Sequence, residues 1–344
     1  MSVPFLVAID DGYAQTKVLA WDEHTNTPRK KMIRSSVVAG KVGLGSLSGD
    51  AIHAFYVTPE GPFSVSDSIQ GESTKFDNFH TSPMNKVLVN HALIAAGYGG
   101  LDVTVCAGLP VSKFFRDGVK NEAYIKQKQD NLSGPIECGT NHKLAHIVNV
   151  DIGCQAVAAW VDYMLNDDLE YQQVPAGAVT IVDIGGRTTD IATVVNGEDI
   201  DHRRTRTQDV GVLDVYNSVI KGIGNKFATN CDLPLADVDE AVRTRKLIIW
   251  GEEKDISDIV DEAIKEQQYK IVRFVNEVIG DAASIRKVIF VGGGSALFNE
   301  ISASFRHGHI PDDPEFANVR GLFKFFRYRQ KIMAETQEQQ ADVA

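Results

Sequence analysis

Apolar and β-branched residues fall along the chain in short runs that stop at glycine. Phe5-Leu-Val-Ala-Ile9 leads into Asp10, and a second run follows from Lys17 to Trp21 after a turn at Gly12. Val179-Thr-Ile-Val182 leads into Asp183, two glycines, Arg187 and Asp190, and another β-rich run opens at Ile191. Lys287-Val-Ile-Phe-Val291 runs into Gly292-Gly-Gly294. Each pattern predicts a buried strand closed by a turn. Asp102 to Ala107, Lys143 to Val148 and Leu247 to Trp250 read as further strands.

Helical spacing alternates with these runs. Ser82 is a good N-cap and Pro83 suits the first turn. Val87, Leu88, His91, Ala92 and Ala95 then recur on one face and stop at Gly97. Ile256 to Ile279 predicts a long amphipathic helix, its apolar positions serving packing. Asn121–Gln129, Asp151–Tyr163, Gly211–Gly222, Leu235–Arg245, Ala296–Phe305 and Val319–Lys331 read as helices. Lys30 to Phe79 is rich in Gly, Ser and Asp and reads as a small insert of strands and loops.

The glycine turns carry the candidate chemistry. A buried strand ending in a glycine-rich hairpin exposes backbone N–H groups with no side chain in the way, and such a concave set binds phosphate oxygens. The carboxylate at the strand end can hold Mg²⁺ through its waters. Asp10 with Asp11, Gly12, Tyr13 and Ala14 forms one such device, and Asp183 with Gly185, Gly186, Arg187 and Thr188 a second. They lie about 170 residues apart, which suggests two similar domains facing one nucleotide. Lys17 stands where a cation could reach a β- or γ-phosphate, or is simply a solvated strand lysine. Gly292, Gly293, Gly294 and Ser295 would let a base or ribose approach the backbone closely. A single Asp-x-Gly-Gly can be a plain hairpin turn. Three glycine turns in this order, each after a buried strand, are far more specific.

Composition narrows the class. The 344 residues fit two domains or one large one. With 43% hydrophobic and 24% charged residues, an ordinary globular protein is expected. A net charge of −11 disfavours direct binding to DNA phosphates. Cys106, Cys138, Cys154 and Cys231 show no C-x-x-C spacing, as in a reduced chain with buried thiols. No long apolar run and no signal-peptide pattern is present, so a cytoplasmic location without membrane contact is expected.

The order of the three turns resembles the actin-like ATPase superfamily, and within it the ParM/StbA plasmid-segregation proteins. Ile9-Asp-Asp-Gly12 looks like their first loop. Asn90-His-Ala-Leu-Ile-Ala-Ala-Gly97 followed by Val103-Thr-Val-Cys-Ala-Gly-Leu-Pro110 looks like their helix-strand-Leu-Pro segment, and Phe316-Ala-Asn-Val-Arg-Gly321 like their closing helix. The likeness runs from about residue 5 to about residue 330.

The resemblance implies an α/β actin-like ATPase fold: two similar domains with ribonuclease-H-like cores around a nucleotide cleft, each with a smaller inserted subdomain. Domain I would span 1–165 with an insert near 30–80, and domain II 166–315 with an insert near 223–285. A closing helix over 316–332 would return to domain I, and 333–344 would be a frayed tail. ATP, with GTP possible, and Mg²⁺ are the implied cofactors, the metal held through water by Asp10 and Asp183. Gln155 falls where actin carries a Gln in a similar Gln-Ala-Val setting, and would orient the water that attacks the γ-phosphate. ParM-like and MreB-like relatives usually place a Glu there, and a Gln is a poorer base. Asp151, one turn earlier on the expected helix, could supply the carboxylate or act as an N-cap. Gly211 would open a helix whose N-terminal dipole faces the phosphates. Arg187 departs from the small residues common at its place, and would touch phosphate or point to solvent. Arg243, Thr244 and Lys246 are open candidates for a ribose contact.

The implied function is an ATP-dependent filament built by head-to-tail self-association, with hydrolysis driving disassembly. It would segregate plasmid DNA through a small DNA-binding adaptor at a centromere-like site. A small-molecule kinase of the same superfamily is the alternative. A chaperone of that superfamily needs a further peptide-binding domain, for which the 50 residues after Gly294 are too few.

Overall fold

The computed structural model describes residues 3–341 except 23, 24, 26, 43–53, 68–70, 173–175, 198, 231 and 232. Cys231 lies outside the described residues.

The first half is built on a five-stranded sheet. Its strands are β1 (Phe5–Asp11), β2 (Gln15–Asp22), β3 (Thr27–Arg34), β4 (Asp102–Leu109) and β5 (His146–Cys154), in the order β5-β4-β1-β2-β3. β1 and β2 form an antiparallel hairpin, while β4 runs parallel to β1 and β5 parallel to β4. Helices α1 (Pro83–Ala95) and α2 (Glu122–Ser133) accompany this sheet. Ser82 caps α1 as its sequence suggests, its hydroxyl oxygen accepting from the Asn85 amide at 3.3 Å. A second sheet joins Val37–Ala39, Ala54–Thr58, Gly61–Val65 and Glu137–Cys138. Lys30 to Arg34, read as part of an insert, instead continues the main sheet as the end of β3, paired with β2.

Helix α3 (Gln155–Met164) then leads to the second half. There β6 (Ala178–Ile184) and β7 (Thr189–Val195) form an antiparallel hairpin, and β8 (Ile285–Val291) runs parallel to β6. This repeats the arrangement of β1, β2 and β4. A hairpin paired with a parallel strand on one side needs a crossover connection, which the intervening helices supply. Helices α4 (Val212–Phe227), α5 (Leu235–Thr244) and α6 (Ser257–Ile279) fill that crossover. Of the expected helix Ala296–Phe305, only Asn299–Ala303 is helical.

The last helix, α7 (Ala317–Ala341), returns to pack on α3 and the first sheet. Phe316, Val319, Leu322, Phe323 and Phe326 join Ala8, Leu19, Cys106 and Ala158 in one apolar cluster. Gly321 is required at this crossing, because a Cβ there would overlap the Ala158 carbonyl on α3.

The expected helix Asp151–Tyr163 is corrected at its start. Asp151-Ile-Gly-Cys154 pairs in parallel with Cys106–Leu109 and finishes β5, and the helix begins at Gln155. Likewise, the strand expected over Lys143–Val148 starts at His146 and runs on to Cys154.

Candidate functional site

A cavity of about 400 Å³ lies between the two hairpins. Asp10, Gly12, Tyr13, Ala14 and Lys17 line it from the first half, and Asp183, Gly185, Gly186 and Thr188 from the second. Gly292 and Gly293 of the third turn and Gln155 also reach it.

Strand register explains the placement. β1 and β2 set Asp10 opposite Lys17, and β6 and β7 set Asp183 opposite Asp190. Lys17 Nζ is 3.7 Å from Asp10 Oδ2. Gln155, first residue of α3, donates from Nε2 to Asp10 Oδ1 at 2.8 Å. Opposite them, Asn318 of α7 donates to Asp183 Oδ2 at 2.8 Å, while Asp183 Oδ1 is buried without a partner.

The electrostatics follow from burial. Loss of water, reinforced by the charges of Asp190 and Asp10, pushes the Asp183 carboxyl up to about 7. Burial also raises Asp10, against the pull of Lys17. It raises Asp190 too, despite hydrogen bonds from Thr207, Thr188 and the Val111 amide. A buried carboxylate with one oxygen unpartnered, as at Asp183, and a second buried carboxylate, Asp10, on the other side of the cavity suit a divalent cation, whose charge would return them to the ionised form. Mg²⁺ therefore fits Asp10 and Asp183. Among the described residues no group of three His, Cys, Asp or Glu is placed to hold an ion.

The glycines allow close approach. A Cβ on Gly186 would lie 2.7 Å from Ala14 Cβ and 2.8 Å from its amide nitrogen, so the two hairpins touch here. Gly292 has φ +85°, and a side chain there would run into Asp183 and the Ile184 carbonyl.

Other expected residues do not line the cavity. Strand alternation turns Asp11 away from Asp10. Its carboxylate takes Lys128 Nζ at 2.7 and 2.8 Å and Asn85 Nδ2 at 2.6 Å, all buried. Gly211 does not turn a free helix end toward phosphate. The Val212 and Leu213 amides donate to the Gly185 and Gly186 carbonyls at 3.1 and 2.9 Å, so α4 braces the second hairpin. The Gly294 amide donates to the Ile184 carbonyl at 2.9 Å, and Ser295 Oγ to the Gly292 carbonyl at 2.7 Å, closing the third turn. Arg187 sits beside the hairpin tip, its guanidinium carbon 5.3 Å from the centre of the Tyr13 ring. Asp151 is removed from the cavity. It stands on a strand and not one helical turn from Gln155, and four extended residues span roughly 13 Å. Its oxygen accepts instead from Asn149 Nδ2 at 3.0 Å.

The cavity also holds residues that sequence reasoning passed over. Asn318 is one, and its signal was a polar residue set among the apolar positions of a docking helix. Asp239 is another. It accepts from Tyr216 Oη at 2.5 Å, from Arg243 Nε at 3.2 Å and, across the cleft, from Arg34 Nη2 at 2.8 Å. Asp239 and Arg243 are four apart on one helix, but nothing local in the sequence joins them to Tyr216 or Arg34. Of the three ribose candidates, Arg243 lines the cavity.

Comparison with known proteins agrees with this geometry. Residues 5–163 match the family model of the plasmid segregation protein ParM, N-terminal part. Residues 181–302 match that of the archaeal actin homologue MreB-like, C-terminal part. No curated protein sequence matches. A 15-stranded ParM filament from Clostridium botulinum has a similar fold, with a TM-score of 0.75 at 20% identity over 95% of this chain and 100% of that one. A non-polymerisable quadruple mutant of pCBH ParM gives 0.72 at 21% identity, over 95% and 100%. An archaeal actin homologue in complex with ADP gives 0.70 at 20% identity, over 94% and 99%. Two glycine hairpins face one cavity, both halves match family models of actin homologues, and the fold is shared with them, so the chain is similar to the actin-like proteins and its first half to those of the ParM/StbA type.

Proposed function

We propose that this protein is a filament-forming ATPase that segregates plasmid DNA through a DNA-bound adaptor. The observation that carries the reading is Asp10 and Asp183 facing one cavity from two matching hairpins, with Gln155 bonded to Asp10. The ParM match of the first half points the chemistry toward filaments.

In this reading the backbone amides of the two hairpins cradle the phosphates of ATP. Asp10 and Asp183 would hold Mg²⁺ there, and the ion would supply positive charge to the phosphate oxygens. Gln155 is anchored by its amide nitrogen on Asp10, and its carbonyl oxygen accepts a hydrogen bond from the attacking water. It orients that water but does not take its proton, which favours slow hydrolysis. Loss of the γ-phosphate removes contacts that bridge the halves, and the cleft relaxes. A head-to-tail contact that depends on the closed cleft then weakens, so ATP favours an open filament and hydrolysis its disassembly. The net charge of −11 repels DNA phosphates, so a basic adaptor makes the link to DNA.

Right-angle light scattering after addition of ATP–Mg²⁺, with phosphate release followed in parallel, tests the reading. Scattering should rise and then decay as phosphate appears. In Asp183→Ala phosphate release should be lost. Phosphate release with flat scattering over a wide protein concentration range would defeat the filament and favour a kinase or another switch.

A further inference from the structure

The cavity is short of positive charge for a nucleotide. Asp10, Asp183, Asp190, Asp239, Asp313 and Glu315 all line it, whereas Lys17 and Arg243 are the only Lys or Arg among its described lining residues. Both cations have carboxylate partners: Lys17 stands 3.7 Å from Asp10 and Arg243 donates to Asp239 at 3.2 Å.

Arg187 is a third cation, and part of it is unused. It lies between Gly186 and Thr188, which both line the cavity. The residue is 9% exposed. Nη2 donates to Asp209 of its own half at 2.8 Å, and Asp77 of the first half stands 3.9 Å away. The guanidinium lies over the ring of Tyr13, itself a cavity residue. Nη1 is buried and has no hydrogen-bond partner. A buried donor without an acceptor is costly and marks a place where an acceptor belongs. The planar fork of a guanidinium is suited to phosphoryl oxygens.

Position selects which phosphoryl group. Gly292 of the third turn abuts Asp183, and Gly186 at the tip of the second hairpin abuts Ala14 of the first. A nucleotide with its nucleoside at the third turn therefore extends its phosphates past Asp183 toward the hairpin tips, where Arg187 stands. We propose that Arg187 reads the terminal phosphate, with a γ-phosphate oxygen taking Nη1 while Asp209 keeps Nη2. The inference rests on the nucleotide reading above. A diphosphate leaves Nη1 empty. Because Tyr13 and Asp77 belong to the first half, an occupied Arg187 also strengthens a contact between the halves that only the triphosphate supports.

Calorimetric titration with Mg²⁺–ADP and with a non-hydrolysable Mg²⁺–ATP analogue, below the protein concentration at which scattering begins, tests this. In Arg187→Gln the triphosphate affinity should fall by about tenfold or more, with ADP affinity changed by less than about twofold. Arg187→Lys, which keeps charge without the fork, should recover part of the loss. Equal weakening of both nucleotides would make Arg187 a mere support of the hairpin, and no weakening of either would also overturn the proposal. Asp209→Asn leaves Arg187 in place and should keep or raise the preference for triphosphate, and a fall in that preference counts against it. If the wild-type protein binds neither nucleotide, the nucleotide reading itself fails.

Discussion

Asp183 is the residue at which the site's purpose and its cost meet. One oxygen of its carboxyl lacks a partner, and burial, reinforced by the charges of Asp190 and Asp10, raises it to about 7. An acid with a raised folded-state pKa binds more protons in the folded protein than in the unfolded chain. Stability without ligand therefore falls as pH rises from about 4 to about 7, and is flat above. Asp183→Asn should raise the melting temperature of the nucleotide-free protein at pH 8, by a margin worth a few kcal/mol, and the margin should vanish near pH 4. A pH-independent margin would mean that Asp183 is not the group that titrates. Mg²⁺–nucleotide binding should run the other way and strengthen through pH 7, because the cation needs the ionised carboxylate. Much of this site is legible in the sequence, since a strand-ending Asp followed by glycine is a local signal. Asn318 and Asp239 are not legible in that way. Asn318 meets Asp183, and Asp239 meets Arg34, over 100 residues away, at contacts that only the folded chain creates.

At the scale of elements, the glycine turns and most strands and helices are readable because each has its own period and its own stop signal. The strand-to-helix boundary at Gln155 is not. Asp151-Ile-Gly-Cys-Gln-Ala-Val contains an N-cap candidate, and helix and strand both fit it locally. Pairing with Cys106–Leu109 decides for strand, and so separates Asp151 from Gln155. The crossing of α3 and α7 makes a related demand. Gly321 lets α7 press against the Ala158 carbonyl, and this contact carries Asn318 to Asp183. Gly321→Ala should destabilise the protein by about 3 kcal/mol, at the upper end of usual overpacking costs, although alanine favours helix in isolation. It should also weaken nucleotide binding, because α7 must shift. A chemical denaturation midpoint equal to that of the wild type would show that the crossing is loose.

At the scale of the molecule, the halves are joined across the cleft by side chains that need no ligand. Arg34, at the end of β3, pairs with Asp239 on α5 at 2.8 Å. Lys75 pairs with Asp214 on α4 at 2.5 Å. Asp214 also accepts from the Gly211 amide at 3.0 Å, so Lys75 grips the helix end that braces the second hairpin. If the cleft holds a nucleotide as proposed, its release by parting of the halves would break both pairs. Partly exposed pairs contribute about 0.7 kcal/mol each, and together they shift the opening equilibrium by roughly tenfold. Arg34→Gln combined with Lys75→Gln should therefore release fluorescently labelled ADP several-fold faster than the wild type, up to about tenfold. Salt separates this from a general loosening. Raising ionic strength screens the pairs, and should speed release from the wild type toward the rate of the double variant while leaving that variant unchanged. If both proteins release ADP at one rate at low salt, the cleft is held by its hairpins and the closing helix alone. If both respond equally to salt, the charges that matter lie on the nucleotide and not on the rim of the cleft.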